Sequence, residues 1–85
     1  MQAVWKFKID SRLMRIQMPK GTVVLTAQMQ GDDIAMWAIC NPTEHTFENR
    51  IFRLFDTGEV LPDHAMSFIA TLQIGQIVHH MFELV

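Results

Sequence analysis

The sequence predicts an all-β domain, an antiparallel meander that forms a small barrel or sandwich of about six to seven strands. Apolar and polar residues alternate with a period of two in most segments, as they do along strands with one buried face. Short stretches such as "PKG" and "GDD" separate these segments and have the composition of turns. Strand-like segments follow one another along most of the chain, which favours antiparallel neighbours.

The apolar content predicts a partner. The 85 residues leave room for one domain, residues 1–85, with a thin stability margin. Hydrophobic residues make up 49% of the chain, more than a domain of this size hides alone. We therefore expect a homodimer or a higher oligomer, or a permanent partner that covers the surplus.

Charge and cysteine content restrict the partners and the compartment. The formal net charge of -2 argues against binding to nucleic-acid polymers, which requires a positive field on the protein. The longest apolar run, "IAMWAIC", is far shorter than the ~20 residues that span a bilayer, so no membrane partner is expected. Cys40 is the only cysteine and cannot form a disulfide within the chain, which favours a reducing cytosol.

The first three segments each predict a strand with one apolar face. They are "VWKFKI", "RLMRIQM" and "TVVLTAQMQ". The predicted faces are Trp5, Phe7 and Ile9 in the first, Met14, Ile16 and Met18 in the second, and Val23, Leu25, Ala27 and Met29 in the third. We expect the face of the second segment to be exposed and to contact a partner protein.

The fourth segment, "IAMWAICN", is apolar on both faces. Such a strand is central in its sheet or lies under a partner, so Ile39 is a further candidate interface residue. Trp37 has two interpretations. It packs in the core, or it forms the wall of a ligand pocket.

The fifth segment, "RIFRLFD", carries arginines on both of its faces. Arg50 shares one face with Phe52 and Leu54, and Arg53 shares the other with Ile51 and Phe55. One interpretation is an edge strand whose arginines extend to water. The other is an anion pocket in which Arg50 or Arg53 binds a phosphate or carboxylate beside Trp37 or His80.

The sixth segment has two interpretations as well. Residues 64–74 fit a helix that follows Asp63 and ends at Gly75. They fit equally a strand with Met66, Phe68, Ala70 and Leu72 inward.

The closing segment, "QIVHHMFELV", predicts a strand with two adjacent histidines. Neighbours on a strand point to opposite faces, so His79 and His80 cannot share a metal ion. We expect a half-buried His80 that is hydrogen-bonded across the sheet and an exposed His79; the alternative is a His80 that lines a pocket. No metal and no cofactor are predicted.

Motifs of catalysis are missing from the sequence. It contains no GxSxG and no phosphate-binding loop. Cys40 follows an apolar run and is expected to be a packed thiol, while Asp32 and Asp33 have the place of turn residues. We therefore expect that the protein is not an enzyme.

Several motifs together resemble one widespread family of small phage and prophage proteins. They are "VWKF", "MPKG", "MWAICNP", "RIFRLFDTGEVLP", "FIATLQ" and "HHMFEL". The residues that match the family are Trp37, Ala38, Asn41 and Pro42 in the middle strand, Thr57 and Gly58, and His80, Met81, Phe82 and Glu83 near the end. The resemblance implies an all-β fold, which favours a strand over 64–74, and a phage context; it implies no particular activity.

We expect from these observations a non-enzymatic binding protein that counters a bacterial defence system or modulates a host protein. It would act by protein binding, or by sequestering a small anionic ligand such as a nucleotide signal. The alternative is a minor structural or assembly component of a phage particle. Candidate ligand-binding residues are Arg53, Arg50, Trp37 and His80; candidate interface residues are Met14, Ile16, Met18 and Ile39.

Overall fold

The computed structural model describes all 85 residues and contains seven antiparallel strands and no helix. The strands are β1 (Ala3–Ile9), β2 (Leu13–Pro19), β3 (Val23–Gln30), β4 (Asp33–Cys40), β5 (Phe47–Asp56), β6 (Met66–Ile74) and β7 (Ile77–Leu84). The predicted all-β class is confirmed, and strand β6 covers residues 66–74 of the ambiguous segment 64–74. No segment of the chain makes a helix with the length and apolar character needed to cross a membrane.

The strands form two sheets that pack face to face. One sheet has three strands in the order β1-β4-β3, and the other has four in the order β2-β5-β7-β6. Only β3–β4 and β6–β7 pair as consecutive strands, so the order is not the simple meander that the sequence suggested. Between β1 and β2, β2 and β3, and β4 and β5 the chain passes to the opposite sheet. Each passage allows two consecutive amphipathic strands to bury their apolar faces against one another.

The two hairpins turn through a glycine at the same position. Gly31 joins β3 to β4 with φ 63°, and Gly75 joins β6 to β7 with φ 61°. The residue after each glycine does not have a positive φ. A glycine with positive φ at the first central position is the requirement of a type II′ hairpin turn, whose twist matches that of the strands.

The core lies between the sheets. Its buried members are Ile9, Met18, Ala27, Ile34, Met36, Phe52, Leu54, Ala70, Leu72 and Met81. Both sheets contribute, and half-buried side chains such as Phe7, Met14 and Ile16 pack around this cluster. The alternation of the sequence predicted the apolar faces that contain Ile9 and Ala27, and the strand interpretation of the sixth segment predicted that Ala70 and Leu72 point inward.

Two β-bulges reverse the predicted alternation. The register of β3 against β4 shifts between Val24 and Thr26, so Leu25 has no partner residue. Because of this extra residue, Val24 packs on the core while Val23 and Leu25 lie on the outer face, contrary to the sequence prediction. A second shift between Phe68 and Ala70 turns Phe68 outward, again contrary to the prediction.

Leu72 and Leu13 offer a matched test of the core. Leu72 is 5% exposed in β6, whereas Leu13 is 61% exposed in β2. Leu72→Ala should lower the free energy of unfolding by about 2–5 kcal/mol, because it removes buried methyl groups and leaves a cavity. Leu13→Ala should change it by less than about 0.5 kcal/mol. Urea unfolding measures both values, and similar losses for the two variants would contradict this packing.

Candidate binding surfaces and the end cleft

The four predicted ligand-binding residues lie on three different surfaces. Arg53 and His80 share the outer face of the four-stranded sheet. Arg50 lies on the inner face of the same sheet, at one end. Trp37 lies on the outer face of the three-stranded sheet, because its neighbours Met36 and Ala38 occupy the inner face of β4. The structure therefore does not bring these residues into one pocket.

Arg50 is paired within the chain. Its Nε and Nη2 donate to Glu83 Oε2 and Oε1 at 2.6 and 2.8 Å, and its Nη1 donates to the carbonyl oxygen of Thr22. The Arg50 and Glu83 side chains are only 18% and 15% exposed. The hydrogen bond with Glu83 raises the pKa of Arg50 further, so the guanidinium stays charged. Two parallel, charge-assisted hydrogen bonds therefore satisfy this arginine without a ligand.

Arg53 is paired as well, on the opposite face of β5. Its guanidinium carbon lies 4.3 Å from the centre of the Phe55 ring, and its Nη2 lies 3.0 Å from Glu59 Oε2. Phe55 is 1% exposed although it lies outside the core cluster. The carboxylate that an arginine beside apolar side chains needs is supplied here by Glu59.

His80 is half-buried and hydrogen-bonded across the sheet, as the sequence predicted. Its Nε2 lies 2.8 Å from the hydroxyl of Thr57, and its Nδ1 lies 3.1 Å from the hydroxyl of Thr71 in β6. Both ring nitrogens thus have partners. A ligand would have to displace a threonine hydroxyl in order to bind this imidazole.

The predicted interface residues of β2 face the core. Met18 is 0% exposed, and Met14 and Ile16 pack against the core cluster. The expectation that this face is exposed is therefore wrong. Alternation alone identifies an apolar face but does not show whether the other sheet covers it.

Ile39 lies on an exposed apolar face instead. In the three-stranded sheet it is paired with Val4 of β1 on one side and Val23 of β3 on the other. These two valines are 59% and 57% exposed. Leu25, 49% exposed at the bulge, and the half-buried Trp37 extend this surface, which we call the apolar row.

A cleft that the sequence did not predict opens at one end of the sandwich, between the ends of the two sheets. Its volume is about 380 Å³. Apolar side chains from both sheets line it: Ile9, Ile34, Leu54 and Ile74. Polar wall residues come from β1, the β1–β2 loop, the β3–β4 turn, the start of β4 and β7. We call this space the end cleft.

His79 is the buried polar residue of the end cleft. It is 9% exposed, so the prediction of an exposed His79 is wrong. Its Nδ1 lies 2.7 Å from Asp56 Oδ1, although the two groups are not aligned as a regular hydrogen bond. The only indication in the sequence was that His79 lies two residues before Met81, so that both side chains share one face of β7, and Met81 is a core residue.

Asp56 connects His79 to a chain of charges that leads out of the end cleft. Arg12 donates to Asp56 at 3.0 Å and to Glu59 at 3.3 Å, and Glu59 also binds Arg53. The hydrogen bond from Arg12 lowers the pKa of Asp56, and the charges of Arg12 and His79 add to this effect. Asp56 is therefore a carboxylate at neutral pH.

Metal ligands and a reactive thiol are the remaining chemical possibilities. No three His, Cys, Asp or Glu side chains lie close enough together to hold a metal ion. Cys40 is buried, and burial raises the pKa of its thiol, which disfavours the nucleophilic thiolate.

Fold and surfaces together define a small antiparallel β-sandwich with an apolar outer face and a polar cleft at one end. The chain belongs to the family described as "Domain of unknown function (DUF7352)", which it matches over residues 1–85. Comparisons with curated proteins and with solved structures find no match.

The two arginines of β5 should differ in their effect on stability. Arg50→Ala leaves the largely buried Glu83 carboxylate and the Thr22 carbonyl without this donor. It should lower the free energy of unfolding by about 1–3 kcal/mol. Arg53→Ala removes the more exposed ion pair with Glu59 and should lower the free energy of unfolding by less than about 1 kcal/mol. Urea unfolding of both variants measures the difference; a larger loss for Arg53→Ala would contradict the assignment.

Asp56 should make stability depend on acid pH. Its pKa is lowered on folding, so its contribution is complete above the ordinary value of about 3.9 and is lost as the pH falls through the lower folded value. The difference in unfolding free energy between wild type and Asp56→Asn should therefore shrink below about pH 4. Unfolding curves from about pH 6 to about pH 2 measure it, and a constant difference would contradict this role.

Proposed function

We propose that this protein is a non-enzymatic binding protein that acts by protein–protein contact through the apolar row. The observation that carries the proposal is the register of Val4, Ile39 and Val23, which sets three apolar side chains side by side across the whole outer face of a sheet. An apolar surface of this kind on a small domain is a typical site for contact with another protein.

The composition of the apolar row supports a protein partner. Ile39 occupies its centre, and one exposed valine lies on each side of it. Trp37 is adjacent on the same central strand, and tryptophan is enriched among the residues that contribute most to protein interfaces. Lys6, paired with Trp37, would form part of a polar rim that stays in water.

The charges of the chain favour protein binding over the sequestration of an anion. Arg50 is held by Glu83, Arg53 by Glu59, and Arg12 by Asp56. An anionic ligand would have to compete with a carboxylate that is already bound to each of them. Breaking such a pair also leaves the displaced carboxylate without its partner.

The apolar row is suited to self-association in the absence of another partner. A valine lies on each side of Ile39. If two copies pack these sheets face to face about a two-fold axis, each valine therefore meets a valine of the other copy, whether the axis runs along the strands or across them. A homodimer of this kind covers the row until a target protein replaces the second copy. We expect the target to be a host protein, in the cytosol, and the context to be that of a phage or prophage that blunts a bacterial defence; this part of the proposal rests on the resemblance.

Sedimentation velocity at micromolar concentration tests the contact surface. Wild-type protein should sediment with twice the 9.8 kDa mass of the chain. The double variant Val4→Lys/Val23→Lys should sediment as a monomer with an unchanged far-UV circular dichroism spectrum, because both positions are exposed and charge opposes apolar contact. Val60→Lys is the control: Val60 is 88% exposed in a loop, and this variant should remain dimeric. A monomeric wild type would contradict self-association.

Native mass spectrometry of protein purified from its own host tests the function. A host protein bound at fixed stoichiometry, and lost from the Val4→Lys/Val23→Lys variant, is the expected result. A copurified nucleotide would contradict the proposal and favour anion sequestration. A bound protein that the double variant retains would contradict the assignment of the surface.

A further inference from the structure

We propose that the free edge of β2 binds an extended segment of a partner protein, which adds to the four-stranded sheet as a further strand and sets an acidic side chain opposite Arg15. β2 lies in a different sheet from the apolar row and shares no residue with it. The inference therefore goes beyond the proposed function and does not depend on it. It rests on the backbone of β2, on the other edges of the sandwich and on the charges beside the strand.

The backbone hydrogen bonds at the two ends of β2 show which of its groups face the free edge. The N–H of Leu54 donates to the carbonyl oxygen of Arg12, and the N–H of Lys20 donates to the carbonyl oxygen of Thr46, both at 2.8 Å. Both pairs continue the register of β2 with β5. Because hydrogen-bonded pairs alternate along an antiparallel ladder, the even-numbered residues of β2 bond to β5 and the odd-numbered residues face outward.

Arg15 and Gln17, in the middle of β2, therefore direct both their N–H and their C=O groups to the free edge. No strand of the chain pairs with them there. Pro19 is also an outward residue, which is the position in a sheet where a missing N–H is tolerated. Its carbonyl oxygen accepts a hydrogen bond from the Thr22 hydroxyl at 2.6 Å. The chain thus closes this end of the edge and leaves the middle open.

β2 is the edge of the sandwich that lacks protection against a further strand. A bulge interrupts β3 and another interrupts β6, while β1 carries Lys6 and Lys8. β2 pairs with β5 over Leu13–Pro19 without a shift of register. A regular edge of this kind is a template on which an extended segment can form backbone hydrogen bonds.

Arg15 and Lys20 give this edge a positive charge. They are exposed, and they are the two lysine or arginine side chains that form neither an ion pair nor a side-chain hydrogen bond. β2 contains no acidic residue, and the residues of β5 beside Arg15 and Gln17 are Ile51 and Asn49. An acidic side chain opposite Arg15 would supply the ion pair that the chain itself does not provide.

Apolar side chains determine the rest of the pattern that the segment needs. Met14 and Ile16 are half-buried at the margin of the core, so segment residues beside them would point toward the core. Leu13 is 61% exposed on the outer face. A hollow of about 280 Å³ at this edge is lined by Leu13, Met14, Arg15 and Ile51. An antiparallel segment should therefore have an apolar residue on each side of its acidic residue and a third apolar residue two positions after it.

The peptide acetyl-Ser-Thr-Val-Glu-Val-Ile-Ser-amide has this pattern and tests the proposal with isotopically labelled full-length protein. We expect saturable NMR shifts and slower hydrogen exchange for the amides of Arg15 and Gln17, with a Kd on the order of 1 mM for so short a peptide. The amides of Met14 and Ile16 bond to β5 already and should show a smaller change in exchange.

Two N-methylated peptides separate strand addition from adsorption to an apolar surface. A methyl group on the glutamate nitrogen removes the N–H that would donate to the Arg15 carbonyl oxygen, and it should weaken binding about tenfold. A methyl group on the nitrogen of the next valine replaces an N–H that would point away from β2. Binding of this second peptide should stay within about twofold of the unmodified one.

Charge reversal tests the role of Arg15. Arg15→Glu should weaken binding of the glutamate peptide about fivefold, and it should strengthen binding of the same peptide with lysine in place of glutamate. Lys8→Glu is the matched control, because the Lys8 side chain is 63% exposed in the other sheet. Its Kd should equal that of the wild type. The Val4→Lys/Val23→Lys variant should also bind the peptide normally, so a failure of the apolar row as an interface would not affect this result.

Four results would each overturn the proposal. They are the absence of saturable binding, equal effects of the two N-methyl groups, and equal effects of Arg15→Glu and Lys8→Glu on the Kd. The fourth is slow exchange of the Arg15 and Gln17 amides in the free protein that becomes slower as the protein concentration rises. That result would assign the edge of β2 to a second copy of the chain.

Discussion

The pairing of β5 with β7 holds a charged residue at each end of the inner face of the four-stranded sheet, with apolar residues between them. The cross-strand pairs along this face are Phe52 with Glu83, Leu54 with Met81, and Asp56 with His79. A slip of one residue would turn Phe82 and His80 toward the core and Met81 toward water. A slip of two would leave Glu83 away from Arg50. The Arg50–Glu83 and Asp56–His79 contacts at the two ends thus fit only one register of β5 against β7, the two central strands of the sheet.

The arginines near this pairing are also satisfied within the chain. Arg50 turns inward to Glu83, and on the other face of the same strand Arg53 turns to Glu59. Glu59 is further tied to Arg12, which reaches Asp56. The loop after β5 is thereby connected to the loop after β1 through side chains alone. The outer face of the three-stranded sheet, in contrast, presents apolar side chains.

The period-two alternation was sufficient to predict the strands and the direction of residues such as Ile9 and Ala27, because both follow from local sequence. The bulges at Leu25 and Ile69 were not predictable, since a bulge is a property of two paired strands. Arg50 and Glu83 are 33 residues apart, so their contact depends on a strand order that alternation does not contain. For the same reason His79 could be assigned to a face of β7, but the partner that lies on that face could not be predicted.

The positions of the two bulges have a consequence for aggregation. β3 and β6 are edge strands of different sheets, and each carries one bulge. An unbroken edge offers a row of free backbone groups on which further strands can add without limit, and a bulge interrupts that row. On β1, another edge strand, Lys6 and Lys8 serve the same purpose with charge. Three of the four edge strands of a chain this rich in apolar residues thus carry a feature that hinders sideways growth into fibrils.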